Sequence, residues 1–332
     1  MNIYITLDYE LFFGSKSGSV DKCIIEPTEA LLEIVDPYNI KLVCFVDAGY
    51  LCALEKNKES HPKLKIDYLK VTSQMNRLVS SGHSIELHIH PHWEDTVYDG
   101  KKWIFDTSRY KLADFSKTEV LEIVTKYNNI LKKVTGVAPI AYRAGGWSAQ
   151  PFEHIKESLI VNGVSVDSTV YSSGYYQSDN QNFDFRSVPL VPTEYKFSND
   201  LTVPDKEGVF TEVPISSLKV SPLFYWQFAL AKFQKKVKHQ SYGDGGAIKM
   251  DKKQILRLML MPSYTVVSID GYKAKLLRKA YKKYVKLTNN SGNFVMIGHP
   301  KAFTPYSLSC LEEFIKDTHM QNEYKTFQKS EH

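Results

Sequence analysis

What most constrains this chain is an alternation of short apolar runs with stretches of helical pattern, beginning almost at the first residue. Ile3–Leu7, Ile40–Val46, Ser84–His88, Ile140–Arg143, Val164–Asp167 and Phe294–Ile297 are β-prone. Ile40–Val46 is almost unbroken in its apolarity, which a strand buried on both faces of a parallel sheet requires. Helical patterns lie between these runs. Glu26–Val35 carries a proline in its first turn, Ile66–Ser81 is followed by Gly82 at the C-cap position, and Pro151–Val161 leads toward Gly163. Ser116 opens a helix running to Val134, with Glu119 completing a capping box. Strand, helix and strand in alternation specify a parallel α/β architecture.

A second regularity sits on the first. Asp8, His88, Arg143, Asp167 and His299 each stand at the C-terminal end of an apolar run. In (β/α) barrels that edge carries the chemistry. Ser172–Asp205 is polar, aromatic and aperiodic. Leu223–Lys238, Lys252–Met261, Lys273–Leu287 and Leu308–Asp317 read as helices. There is no linker composition and no repeat, so 1–332 is read as one domain with a long insertion around 172–262.

Hydrophobic residues make up 43% and charged residues 24% of the 332, enough for a real core. A net charge of +5 suits an anionic substrate, such as a nucleotide- or lipid-linked sugar, and is too small to argue for nucleic acid. The four cysteines, Cys23, Cys44, Cys52 and Cys310, fit neither a CxxC pair nor a zinc ribbon, and free thiols in a reducing compartment are expected. MNIYITLD opens straight into a strand without the regions of a signal peptide, and no run is long enough to span a membrane. The expected location is the cytoplasm.

Five motifs carry chemistry. In GHSIELHIHPHW, three of the chain's 10 histidines fall within five residues. His88 and His92 can reach one divalent ion if the backbone between them turns, with His90 in support and His83 as a packing residue. In TLDYE, strand alternation places Asp8 and Glu10 on one face, an arrangement that calls for a cation or an arginine. Glu10 in a solvated loop is the plainer alternative. YRAGGW puts Arg143 before two glycines that permit close backbone approach. An ordinary turn would look the same. VDSTVY and MIGHPKAF supply Asp167 and His299, a candidate couple in which the carboxylate orients the imidazole.

The order of these blocks resembles the five motifs of the polysaccharide deacetylase family (NodB-like, carbohydrate esterase family 4), from Asp8 to His299. TLDYELFFG at the opening looks like the cytosolic members tied to surface-polysaccharide clusters. The resemblance implies a distorted (β/α) barrel of the NodB type and metal-dependent removal of an N-acetyl group from a sugar. It implies a divalent metal, zinc first, on His88 and His92, with Asp8 as general base and Arg143 pairing with it. His299 would be the general acid, tuned by Asp167. Two departures stand out. Tyr9 occupies the place of a second, metal-binding aspartate, so Glu10 is taken as the third ligand, with Asp8 in that role as the alternative. Glycines replace the usual proline-aromatic pair after Arg143. Tyr9, Trp93, Trp147 and Tyr175 are candidates to stack on a sugar ring. The competing readings are a sugar-binding protein on a degenerate barrel and a hydrolase of another non-peptide C–N bond.

Overall fold

The computed structural model of the chain describes residues 1–178, 181–189, 193–247 and 251–327. Parts of the 172–262 region and the polar C-terminal tail therefore lie outside the described residues.

The main sheet runs in the order Tyr195–Phe197, Phe210–Glu212, Val166–Asp167, Ala141–Ala144, Ser84–Ile89, Val43–Asp47, Asn2–Tyr9, Asn293–Gly298. Neighbours pair in parallel except at the Tyr195–Phe197 edge. Val43–Asp47 is buried along its whole length, as its apolar run requires. Helices Glu26–Val35, Pro62–Ser80 and Lys117–Thr135 alternate with these strands. Ser116 and Glu119 form the expected capping box, and Gly136 closes the same helix at φ 76°.

The sheet curls until the region of its strand Val166–Asp167 is bridged to the strand Asn293–Gly298. Val213 N–H donates to Asp167 O at 2.8 Å, Ile215 N–H to Val170 O at 2.8 Å and Ser216 N–H to Val295 O at 3.0 Å. Residues 213–216 thus cross from the strand Val166–Asp167 to the last strand. The result is a distorted (β/α) barrel.

The 172–262 region is not all peripheral. It supplies the strand Phe210–Glu212 to the barrel sheet. The hairpin Gly174–Gln177/Asn182–Phe185 and the helices Pro222–Phe233 and Lys252–Leu260 stand outside that sheet. Three helical expectations differ in detail. Pro151–Val161 divides into a 3-10 turn at Phe152–His154 and a helix from Lys156. The helix expected from Lys273 begins with a 3-10 segment, Gly271–Leu276. The helix expected to reach Lys238 stops at Phe233, just before Lys235 at φ 46°.

Candidate active site

The parallel register gathers the motif residues at one rim. His88 lies opposite both Asp47 and Arg143, Asp167 opposite Tyr142 and Glu212, and His299 follows Gly298 directly. A pocket of about 340 Å³ opens there, lined by Asp8, Glu10, His88, His90 and His299 together with Phe13, Tyr110, Trp147 and Lys301.

Asp8, near the end of the first strand, Asn2–Tyr9, and Glu10, directly after it, both line the pocket and both are buried. Arg143, wholly buried, donates through Nη1 to Asp8 Oδ1 at 2.7 Å. Its other donors reach Ser168 O at 2.7 Å and Ser168 Oγ at 3.0 Å, and its guanidinium lies over the Phe45 ring. The contact implied by the resemblance is therefore present.

Glu10 is the centre of a second cluster. Its Oε2 lies 2.7 Å from His90 Nε2 and 3.3 Å from His88 Nε2. Burial alone would raise the Glu10 carboxyl, but Lys301 and the two imidazoles hold it well below the usual range. His88 Nδ1 is 2.9 Å from Arg143 O, a pure acceptor, so that nitrogen carries the proton and Nε2 turns toward Glu10. A bare imidazole lone pair facing a carboxylate oxygen is repulsive unless a positive charge stands between them. Burial pulls His88 down, yet Asp8 and Glu10 outweigh it and the net shift is upward. Glu10, His88 and His90 offer ligand atoms within 4.8 Å of one another, and His90 Nδ1 is buried without a partner. This donor set fits a divalent cation.

His92 does not join that group. Strand alternation continues through His90, so His88 and His90 share a face. Pro91 then starts a 3-10 turn, Pro91–Glu94, that carries His92 away. Its ring stacks on Tyr110 at 6.0 Å and 5° and on Trp93 at 5.7 Å and 26°, with Phe13 and Phe105 at its edges. Burial and the neighbouring His90 drop it to about 3. The two imidazoles that face Glu10 are thus two apart in sequence, where a pair four apart was expected.

Asp167 does not reach His299 either. It accepts from Thr169 N–H at 2.8 Å and Thr169 Oγ1 at 3.1 Å, and it pairs with the Glu212 carboxyl, which burial and Asp167 push well above its usual value. Asp270 takes the role instead. It accepts from His299 N–H at 2.7 Å and lies 2.8 Å from His299 Nδ1. Burial works against the charged imidazole, but Asp270 outweighs it, assisted by Asp8 and Glu10, and the net shift of His299 is upward. His299 Nε2 points back toward Asp8 Oδ2 at 3.6 Å.

Of the aromatic candidates, Trp147 lines the pocket. Tyr175 lines a separate groove of about 710 Å³ with Gln150, Asp184 and Arg186. Tyr9 and Trp93 belong to the core. Alternation turns Tyr9 to the opposite face from Asp8, where its hydroxyl donates to Gln74 Oε1 at 2.7 Å. Trp93 Nε1 donates to Asp47 Oδ2 at 2.6 Å. Three site residues escaped the sequence reading: His90 as a direct neighbour of Glu10, Asp270, and Lys301, whose ammonium lies 2.8 Å from Glu10 Oε1. One motif gains a reason. A Cβ on Gly145 would come within 2.5 Å of the His90 ring, so the glycine after Arg143–Ala144 makes room for that imidazole.

No protein-family model matches the sequence, and no curated protein does. Among solved structures the fold is similar to a Mycobacterium smegmatis protein named as a polysaccharide deacetylase. The TM-score is 0.51 at 18% identity, covering 97% of this chain and 85% of that one. It is equally similar to a 4-alpha-glucanotransferase from Thermococcus litoralis, with TM-score 0.51 and 14% identity, covering 98% of this chain and 37% of that one. The class these likenesses define is a distorted (β/α) barrel, the fold of NodB-type deacetylases. Two different chemistries on one barrel leave the reaction to be argued from the site.

Proposed function

We propose that this protein is a metal-dependent carbohydrate N-deacetylase. The observation that carries the reading is the convergence on one pocket of three groups: Glu10 with His88 and His90, Asp8 with Arg143, and His299 with Asp270. Glu10, His88 and His90 would hold the cation, and zinc or another first-row divalent ion suits that donor set. Such an ion supplies Lewis acidity toward an amide carbonyl oxygen. Asp8, paired with Arg143, takes a proton from the attacking water. His299, whose charged form Asp270 favours, gives its proton to the departing amine nitrogen. Water and amide thus become acetic acid and a free amino sugar. Trp147 and Tyr110 offer aromatic faces for the ring.

Transfer between glucans fits less well. Glycosidic chemistry uses a protonated carboxyl beside an ionised one. Here both pocket carboxylates face cations, Arg143 and Lys301, within 2.8 Å. The proposed substrate is an N-acetylated sugar; a nucleotide or lipid linkage and a place in surface-polysaccharide metabolism rest on the net charge of +5 and the resemblance of the TLDYELFFG opening. The proposed compartment is the cytoplasm, supported by four free thiols.

Lys301 favours one rival reading, a sugar-binding protein in which the lysine itself is Glu10's cation. The test is acetate release from a panel of N-acetyl sugars with purified protein, before and after chelation and with zinc, cobalt or manganese restored. Release that chelation abolishes and metal restores supports the deacetylase. Sugar binding with no acetate under any metal supports the rival.

A further inference from the structure

Outside the pocket, the largest unexplained feature is the pair of helices Pro222–Phe233 and Lys252–Leu260. Their mutual packing is fixed in part by Trp226 Nε1, which donates to Met259 O at 3.0 Å. Phe224 anchors the first helix against Tyr272 of the body, with ring centroids 5.9 Å apart. The outer face is the reverse of what a solvated surface should be. Leu223, Trp226, Leu230 and Phe233 recur at steps of three and four along the first helix and are 63%, 57%, 55% and 83% exposed, and Val237, in the turn after the helix ends, is 78% exposed. Leu256 and Leu260 extend the stripe on the second helix, at 60% and 65%. A contiguous apolar face of this kind marks an interaction surface.

Charge says what covers it. Lys232, Lys235, Lys236, Lys253 and Arg257 border the stripe and are all exposed. Segment 222–261 holds eight Lys and Arg against two Asp, more than the whole chain's net +5, so the remainder of the protein is close to neutral. A twofold contact between copies would set this basic rim against itself. An anionic bilayer surface matches both components: aromatic and aliphatic side chains enter the headgroup layer while lysine stems snorkel outward. We propose that these two helices form a docking face for a membrane surface rich in anionic lipid.

The placement links docking to chemistry. Residues 242–247, on the chain between the helices, lie against the pocket rim. Tyr242 N–H donates to Phe303 O at 3.0 Å, Gly243 N–H to Lys301 O at 3.0 Å and Gly246 N–H to Lys16 O at 2.9 Å, and Ala247 lines the pocket. A protein seated by these helices holds its pocket beside the lipid surface, where a lipid-linked sugar would be presented.

The experiment is co-sedimentation of the full chain with phosphatidylcholine vesicles, with and without phosphatidylglycerol, at low and high salt, alongside sedimentation equilibrium without lipid. Binding is expected only with phosphatidylglycerol, and it should weaken at high salt. The double variant Leu230→Glu/Phe233→Glu should lower partition at least about tenfold. Lys235→Gln and Lys236→Gln should each lower it by about fivefold. All of these side chains are exposed, so circular dichroism and thermal midpoints should match the parent. No binding to anionic vesicles, or equal binding to neutral ones, overturns the proposal. So does a dimer that the Leu230→Glu/Phe233→Glu change dissolves, which would show that a second copy covers the stripe. None of these readouts depends on the reaction catalysed.

Discussion

Replacing Arg143 with methionine probes the part of the site that is both structural and chemical. The guanidinium is fully buried and makes three hydrogen bonds, to Asp8 Oδ1, Ser168 O and Ser168 Oγ. Methionine fills a similar volume over Phe45 but leaves Asp8, itself only 5% exposed, as a buried charge without its partner. Removing one member of such a pair costs roughly 3–5 kcal/mol. The Ser168 carbonyl loses its donor as well, a further 1–3 kcal/mol at most, since some of that loss is already counted in the pair. Urea unfolding at neutral pH should therefore show Arg143→Met destabilised by about 3–8 kcal/mol with an unchanged slope. Asp8→Asn strands the cation instead. Adding it to Arg143→Met should cost well under the sum of the two, with a coupling of about 2–3 kcal/mol. A loss under about 1 kcal/mol for Arg143→Met, or additive single changes, would refute the buried pair as the device that orders Asp8.

Further expectations rest on other parts of the molecule. Asp270→Asn removes the charge beside His299 Nδ1, so kcat for acetate release should fall while KM holds, whereas Asp167→Asn should leave the pH profile of turnover unchanged; the reverse pattern would restore Asp167 as the partner. Burial pushes Glu86 from 4.5 to about 7, against hydrogen bonds from Ser84, Ala141 and Ile140. The folded chain holds that proton more tightly than the unfolded one, so the stability from this group is complete below about pH 4.5 and is lost as pH rises through about 7. The full loss is on the order of 3 kcal/mol, and Glu86→Gln should flatten the stability curve across that window, which denaturation at a series of pH values checks. Lys301→Met strands the buried Glu10 carboxylate and should lower the stability of metal-free protein; added zinc should restore that stability if Glu10 is a metal ligand, and should leave it unchanged if the lysine is the site's cation.

The barrel was legible because its signals are local and repeated. Apolar strands ending in a polar residue put Asp8, His88, Arg143 and His299 on one rim, and parallel register does the rest. The histidine block differs from the expectation in side-chain direction: strand alternation persists through His90, and Pro91 then turns the chain, so His88 and His90 face Glu10 while His92 packs among aromatic rings. Asp270 had a usable signal, since Thr265–Ile269 is a β-prone run that ends in an acidic residue, the same signature as Val164–Asp167. Lys301 had none. Its meeting with Glu10 spans 291 positions and exists only once the first and last strands pair. Tyr9 and Trp93 looked like sugar platforms because aromatic residues near a site have the same sequence appearance whether they face the pocket or the core; only the direction of the side chain separates them.

The central claim is that Glu10, His88 and His90 share one divalent cation. Calorimetric titration of metal-stripped protein with zinc, with cobalt absorption as a second reading of ligand geometry, tests it without reference to any substrate. One equivalent bound by the parent and by His92→Phe, and none by His88→Ala or His90→Ala, is the expected result. Binding that survives loss of His90 and vanishes with loss of His92, or no stoichiometric binding at all, would contradict it.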